Sequence, residues 1–281
     1  MDFRLPPENP LTLVMWSASK WQDLISYLLE REGVLAMIDP YTNDMMEFMS
    51  KHLYNMLTLG LHMGKTVDVT GLRRIGKTTV LTRFARERNI PIVVPFMTTY
   101  DMYIRRGYDN THWVGSTSSR LRTINLCVVE ELTDIDKLLN NGVYVLTGYY
   151  TRTGDTRQRD DTIDVRTQSL YKFFNRHLYK LLEEGSRTRE LIQMSCFKRI
   201  GKTTALVQFA KDHNIPAIVE TDSVANNMRF LSGYDKIFSI NEIDSKIRSC
   251  VIDEYVNAHD IASMGIEVIT GYHTLDIRLH V

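Results

Sequence analysis

The sequence lacks long apolar runs, has few cysteines and carries no excess of either charge, and each absence narrows what the chain can be. None of its hydrophobic stretches reaches the roughly 20 residues that a bilayer-spanning helix needs, so no membrane partner is expected. The opening residues, "MDFRLPPENP", are without the basic start and apolar middle of a secretory signal. The three cysteines, Cys127, Cys196 and Cys250, have no metal-ligand spacing and sit in or beside apolar runs. They read as reduced, buried thiols, and the compartment that fits is the cytoplasm. Lysine plus arginine equals aspartate plus glutamate at 34 each, so overall charge demands no polyanion partner and leaves room only for a local basic groove. A chain of 281 residues can bury one large core or two small ones.

What the sequence does contain is a repeat. The six residues "RIGKTT" occur at 74–79 and again at 199–204. With a constant offset of about 125 residues, "FMSKHLYNML" falls on "FFNRHLYKLL", and Asn89-Ile90-Pro91 on Asn214-Ile215-Pro216. About nineteen of forty-seven positions from Phe48 to Val94 are identical without a gap. Self-similarity at fixed offset marks a duplicated structural unit. Farther on, "CVVEE" meets "CVIDE" and "VYVLTGYYT" meets "IEVITGYHT". This divides the chain into an N-terminal extension at 1–47, a first unit at 48–150, a polar linker at 151–170 and a second unit at 171–281. In the extension, Trp21, Leu24, Ile25, Leu28 and Leu29 are spaced as one face of a helix.

Each unit alternates helical and strand patterns. A helix carrying His52, Tyr54 and Leu57 (His177, Tyr179 and Leu182) precedes the short strand "TVDVTG" or "LIQMSC". After "RIGKTT", Leu81, Phe84 and Ala85 (Leu206, Phe209 and Ala210) recur at helical spacing until Asn-Ile-Pro stops the helix. Two further strands bring the expected number to four per unit. Strands separated by helices of this length require crossover connections, so the expected fold is α/β: two tandem three-layer units with short, mostly parallel sheets. The polar residues of interest then lie at the carboxyl ends of strands, where such sheets hold ligands.

The turn at Gly71-Leu72-Arg73-Arg74-Ile75-Gly76-Lys77-Thr78 fits G-x-x-x-x-G-K-[ST] between a strand and a helix. Glycines allow the backbone to curl so that N–H groups face phosphate oxygens at the positive end of the helix. Lys77 would neutralise the outer phosphates, and Thr78 would ligate Mg2+. Gly71, Arg74, Gly76, Lys77, Thr78 and Thr79 are therefore the candidate binding residues. In the second copy Cys196 replaces the first glycine, while Arg199, Gly201, Lys202, Thr203 and Thr204 keep the groups that touch phosphate. Downstream, a strand ends in Glu130-Glu131 and its counterpart in Asp253-Glu254. The first acid of each pair, with Thr78 or Thr203, suits Mg2+, and Glu131 and Glu254 suit activation of a water. Glu130 is one methylene longer than Asp253. Thr147 and Thr270 are expected to end the next strand with a hydroxyl facing the outer phosphate, or to serve as plain strand-to-turn residues.

These stretches resemble P-loop NTPases of the RecA-like kind, in particular the motor domains of helicases and viral DNA-packaging terminases. Gly76-Lys77-Thr78 and Gly201-Lys202-Thr203 look like Walker A. Glu130-Glu131 and Asp253-Glu254 look like Walker B with its catalytic glutamate. Arg73-Arg74 and Lys198-Arg199 are similar to the arginine-bearing loop of terminases. The segments "VVPFMTTYDMYIRR" and "VETDSVANNMRF" are similar to the helicase segment that touches DNA, and "LTGYYT" and "ITGYHT" to the motif that couples hydrolysis to movement. The resemblance spans about three quarters of the chain and implies ATP and Mg2+ as ligands, DNA or RNA as partner, an ATPase activity with Lys77, Lys202, Glu131 and Glu254 as catalytic residues, and a viral, phage-encoded protein of the host cytoplasm. It leaves the oligomeric state open. Arg105, Arg106, Arg120, Arg122 and Arg229 become candidates for nucleic-acid contact or for an arginine finger. Neither the loop-less partner domain of a helicase nor the nuclease of a terminase is recognisable. A nucleotide-gated scaffold with little hydrolysis is the alternative, and a small-molecule phosphotransferase, for which no arginine-rich lid is evident, ranks third.

Overall fold

The computed structural model describes residues 37–115, 123–152, 161–194 and 198–274. The amphipathic stretch from Trp21 to Leu29 and the residues Arg120, Arg122 and Cys196 lie outside these. Among the described residues the first repeat runs β1 (Met37–Ile38), α1 (Asn43–Met63), β2 (Thr66–Asp68), α2 (Lys77–Arg88), β3 (Ile92–Val94), α3 (Met97–Arg105), β4 (Thr111–Trp113), β5 (Leu126–Val129), α4 (Ile135–Asn140) and β6 (Tyr144–Tyr150). The second runs β7 (Thr162–Asp164), α5 (Gln168–Thr188), β8 (Leu191–Gln193), α6 (Lys202–Asp212), β9 (Ala217–Val219), α7 (Asp222–Ser232), β10 (Ile237–Ser239), β11 (Ser249–Ile252), α8 (Ala258–Ser263) and β12 (Glu267–His273). The two successions match strand for strand and α-helix for α-helix, with a 3-10 turn at Ile240–Glu242 added between β10 and β11.

The repeat thus reaches back beyond residue 48. Ile38-Asp39 corresponds to Ile163-Asp164, and Thr42 to Thr167, at the same offset. Both threonines cap the helix that follows: the Thr42 hydroxyl accepts from the Met45 N–H at 3.2 Å and the Thr167 hydroxyl from the Leu170 N–H at 3.3 Å. Upstream of residue 48 the two copies share structure but few identities, which is why the identities alone place the start of the repeat too late. Within α1, Met45, Met49, Leu53, Met56 and Leu57 form one buried stripe at helical spacing, and Gly64, at φ 63°, closes the helix in the left-handed region.

Two compact units are present. The larger takes residues 39–180 and 194–208, and the smaller takes 37–38, 181–193 and 209–274. Each has a six-stranded, all-parallel sheet, ordered β4-β3-β5-β6-β2-β7 in the larger and β10-β9-β11-β12-β8-β1 in the smaller. Four strands per unit were expected and six are found. Two of the additional strands, β4 and β10, are three residues long, too short to show a period. The other two are exchanged: β7, from the second repeat, pairs with β2, whereas β1, from the first, pairs with β8. Thr162–Asp164 falls in the stretch read as a polar linker, where an edge strand needs little apolar character.

Buried apolar residues fill each unit. In the larger, Val93, Cys127, Val129, Ile135, Leu138 and Val143 cluster, and in the smaller Ile218, Cys250, Ile252, Ile261 and Val268 do the same. Cys127 and Cys250 are free thiols, pushed up to about 12 by burial. Also in the larger unit, Phe48 stacks on its own counterpart Phe173, with centroids 3.9 Å apart and planes within 2°, while His52 stacks with Phe48 and His177 with Phe173. The rings of His52 and His177 bond to the carbonyls of Val165 and Pro40, at 2.8 and 3.0 Å, so each helix holds the backbone just after the other repeat's first strand. Burial keeps the His52 pKa below its ordinary value despite the carbonyl contact.

Close approach fixes two helical glycines. A Cβ on Gly60 would lie 2.3 Å from Thr147 Oγ1 and 2.6 Å from the Lys65 carbonyl, and one on Gly185 would lie 2.3 Å from Thr270 Oγ1 and 2.7 Å from the Glu190 carbonyl. Since the obstructing groups include backbone, Gly60→Ala and Gly185→Ala should each cost about 1–3 kcal/mol. Urea unfolding checks this, and unchanged midpoints in both variants would show that the helices ride farther from the sheets than described.

Candidate functional site

Between β2 and α2 the chain curls through left-handed backbone at Gly71 (φ 78°), Arg74 (φ 57°) and Gly76 (φ 75°). Arg74 pays a steric penalty of about 1–2 kcal/mol for this conformation, a strain characteristic of functional turns. Leu72 and Ile75, both buried, peg the curl to the core. Four successive carbonyls each take a donor. Arg166 Nη2 donates to Thr70 O, the Lys198 N–H to Gly71 O at 3.3 Å, Lys77 Nζ to Leu72 O, and the Tyr41 hydroxyl to Arg73 O at 3.4 Å. Among the described residues the N–H groups of residues 74–76 have no backbone acceptor. With its carbonyls engaged and its amides unengaged, at the N-terminus of α2, the loop has the geometry that can accept an anion.

The acidic pair lies at the end of β5, and only β6 separates that strand from β2. Lys77, at the first position of α2, reaches Glu131 Oε2 at 2.8 Å, and the Thr151 hydroxyl donates to the same oxygen at 3.1 Å. The Thr78 hydroxyl is 3.5 Å from Glu130 Oε1, and the Tyr103 hydroxyl, from α3, donates to Glu130 Oε2. The carboxyl of Glu130 is pushed up to about 7, by burial first and by the charge of Glu131, while the Tyr103 hydrogen bond and Lys77 oppose the rise. The structure therefore brings Lys77, Thr78, Glu130 and Glu131 together. Thr79 is exposed on the first turn of α2.

The second copy divides between the units. Lys202 and Thr203 open α6 in the larger one, preceded by Arg199 (φ 59°) and Gly201 (φ 87°) in the same left-handed backbone, and Thr204 is exposed. Asp253 and Glu254 follow β11 in the smaller one. Asp253 Oδ1 accepts the Glu254 N–H at 3.0 Å, and the Thr274 hydroxyl is 3.5 Å from Glu254 Oε2, as Thr151 is placed on Glu131. The backbone ahead of each acidic pair has the same register, Glu130 N–H to Val93 O at 3.0 Å and Asp253 N–H to Ile218 O at 2.9 Å. No backbone shift compensates the longer Glu130; Tyr103 occupies the position that aligns with Arg229.

Two expectations change, one for Thr147 with Thr270 and one for Arg229. Thr147 and Thr270 do not end strands: they are buried within β6 and β12, and their hydroxyls donate to Lys65 O and Glu190 O at 2.9 and 2.8 Å. Neither is available to a phosphate. The residues at the strand ends are Thr151 and Thr274, four positions on, and their retention in both copies of "TGYYT" and "TGYHT" was the signal for them. Arg229 is committed locally, to Ile237 O at 2.6 Å, to Asn226 Oδ1 at 2.9 Å and to Glu242, whose carboxyl it holds below the usual range. Arg105 and Arg106 remain exposed at the end of α3, along a cleft with Thr98 and Asp101.

Sequence reasoning also passed over Asp68 and Arg152. Asp68 ends β2 fully buried, and Arg152 holds it with Nε at 2.9 Å and Nη2 at 2.8 Å. The Thr70 N–H adds a bond at 2.9 Å, and Thr70 accepts from the Arg152 N–H at 2.8 Å. Burial alone would raise the Asp68 pKa, but the Thr70 bonds and the Arg152 guanidinium outweigh it and hold the carboxyl below its ordinary value. No helix among the described residues is long and apolar enough to cross a membrane. Compared with known proteins, the chain matches no family model and no curated protein.

A carboxyl with a lowered folded pKa stabilises the fold above its unfolded value of about 3.9, and that contribution disappears as pH falls through the folded value. Arg152→Met strands the Asp68 carboxylate and should cost about 3 kcal/mol at pH 7. The gap to wild type should shrink below about pH 4, where the acid is protonated in the variant. Urea titrations across pH measure it, and a gap that stays constant with pH would remove the ion pair from the account.

Proposed function

We propose that the first copy is a nucleoside-triphosphate site that binds ATP with Mg2+ and hydrolyses its terminal phosphate bond in the service of a nucleic-acid motor. On this reading both repeats are P-loop units of the RecA-like kind. The observation that carries it is the convergence of a curled loop, a helix-opening lysine and a paired acid: Lys77 Nζ lies 2.8 Å from Glu131 while Thr78 stands beside Glu130.

Lys77 is only 9% exposed, so it must keep an anionic partner. A terminal phosphate exchanges for Glu131 as that partner, and the freed carboxylate, still oriented by Thr151, accepts the proton of the attacking water. The new bond joins water oxygen to phosphorus as the bridging oxygen leaves with ADP. The Thr78 hydroxyl and the Glu130 carboxylate would hold Mg2+, which would supply neutralisation of charge on the phosphates. The residues of the second copy that correspond in sequence are Lys202 and Thr203, in the larger unit, and Asp253 and Glu254, in the smaller one. DNA or RNA as the partner rests on the motif resemblance and on the exposed Arg105 and Arg106. A nucleotide-gated scaffold is the second reading, favoured by Cys196 in place of the loop's first glycine.

Phosphate release should fall by about 10²-fold or more in Lys77→Ala. In Glu131→Gln it should fall by about 10²–10⁴-fold with ATP binding kept. Single- or double-stranded DNA should raise the wild-type rate. Wild-type turnover in Lys77→Ala would refute the site, and tight ATP binding with negligible wild-type turnover would select the scaffold reading.

A further inference from the structure

The loop at 70–76 presents its amides only because its carbonyls are held elsewhere, and two of the donors that hold them come from the other repeat. Arg166 lies two residues beyond β7 and donates through Nη2 to Thr70 O. Its Nη1 and backbone N–H both bond to Asp164 Oδ1, at 3.0 and 2.9 Å. The side chain is 8% exposed, and its Nε is buried without a hydrogen-bond partner among the described residues. Lys198 donates its N–H to Gly71 O. Its side chain lies against the same residue, since a Cβ on Gly71 would be 3.1 Å from Lys198 Cβ and 3.8 Å from Arg166 Nη2.

We infer that the second repeat completes the first phosphate loop, with Arg166 and Lys198 as positioning residues that set its grip on a terminal phosphate group. The inference rests on the nucleotide reading above and adds to it a division of labour within the chain. A buried guanidinium with one unsatisfied N–H is an incomplete polar arrangement. An anion seated on the adjoining loop amides would lie in the field of that charge. Lys77 Nζ engages Leu72 O, so Arg166 Nη2, the Lys198 N–H and Lys77 Nζ address three consecutive carbonyls, at the end of the loop where, on the nucleotide reading, Lys77 would meet the outermost phosphate. The side-chain charges of Arg166 and Lys77, concentrated there, favour a triphosphate over a diphosphate. At the position of Arg166 the first repeat has Tyr41, an uncharged donor, so the two copies do not serve each other alike.

The test is calorimetric titration of the full chain with Mg-ATP and with Mg-ADP, in a Lys202→Ala background that leaves the first loop as the site read. Arg166→Met should weaken ATP about tenfold and ADP by less than about threefold. Arg166→Lys should recover part of the ATP loss, because it keeps the charge but not the fork. The ratio of the two affinities separates positioning from simple damage, and a thermal melt without nucleotide monitors folding. Unchanged ATP affinity in Arg166→Met, or equal loss of both nucleotides with a lowered melt, overturns the inference. Absence of ATP binding in the Lys202→Ala background alone, or binding that Lys77→Ala leaves intact, overturns the nucleotide reading instead.

Discussion

A cation that is 9% exposed governs the larger unit. Lys77 has lost most of its hydration, and an ammonium so placed is tolerated only with its hydrogen bonds and its charge both answered. Leu72 O answers the first and Glu131 the second. The pairing constrains everything around it: the loop must curl to bring Leu72 O within reach, β5 must end where Glu131 can approach, and β6 must lie between β2 and β5. On the proposed reading the same pairing restrains catalysis. Glu131 cannot take a proton from water while it neutralises Lys77, so the base becomes competent only when another anion replaces it.

The duplicated units have diverged in groups of residues rather than singly. Asp68 with Arg152 becomes Gln193 with Leu275, so a buried carboxylate and its counter-ion disappear together. Glu130 with Tyr103 becomes Asp253 with Arg229, and the arginine is absorbed by Glu242. Each substitution alone would strand a buried polar group, at a cost of about 1–3 kcal/mol for a neutral one and more for a charge. Concerted change is what the energetics allow, and it explains how the backbone register ahead of the two acidic pairs stays the same while their side chains differ.

The parts legible in the sequence were those with chemistry at fixed local spacing. The loop, the duplication and the parallel α/β plan all follow from identities and periods over stretches of ten residues or more. The failures were tertiary. Three-residue strands such as β4 and β10 carry no period, and no local pattern tells that β7 pairs with β2. The place of Thr147 is not legible in the sequence because β6 runs on to Tyr150, which leaves the threonine mid-strand and packed against Gly60. The commitment of Arg229 is not legible locally because two of its three partners, Ile237 and Glu242, lie beyond the end of its own helix.

The exchange of edge strands connects this topology to the site. If β7 stayed with the sheet of its own repeat, Arg166 would follow it there, and the Thr70 carbonyl would lose its donor. Pairing β7 with β2 in register, Asp164 beside Asp68, carries the chain two residues farther, to the first residues of the loop. His52 then fixes the intervening backbone through Val165 O. A short edge strand contributes little burial of its own, three residues with one exposed. Its greater effect is geometric: it delivers a guanidinium from about 95 residues downstream to the end of β2, a reach that no turn local to the loop could provide.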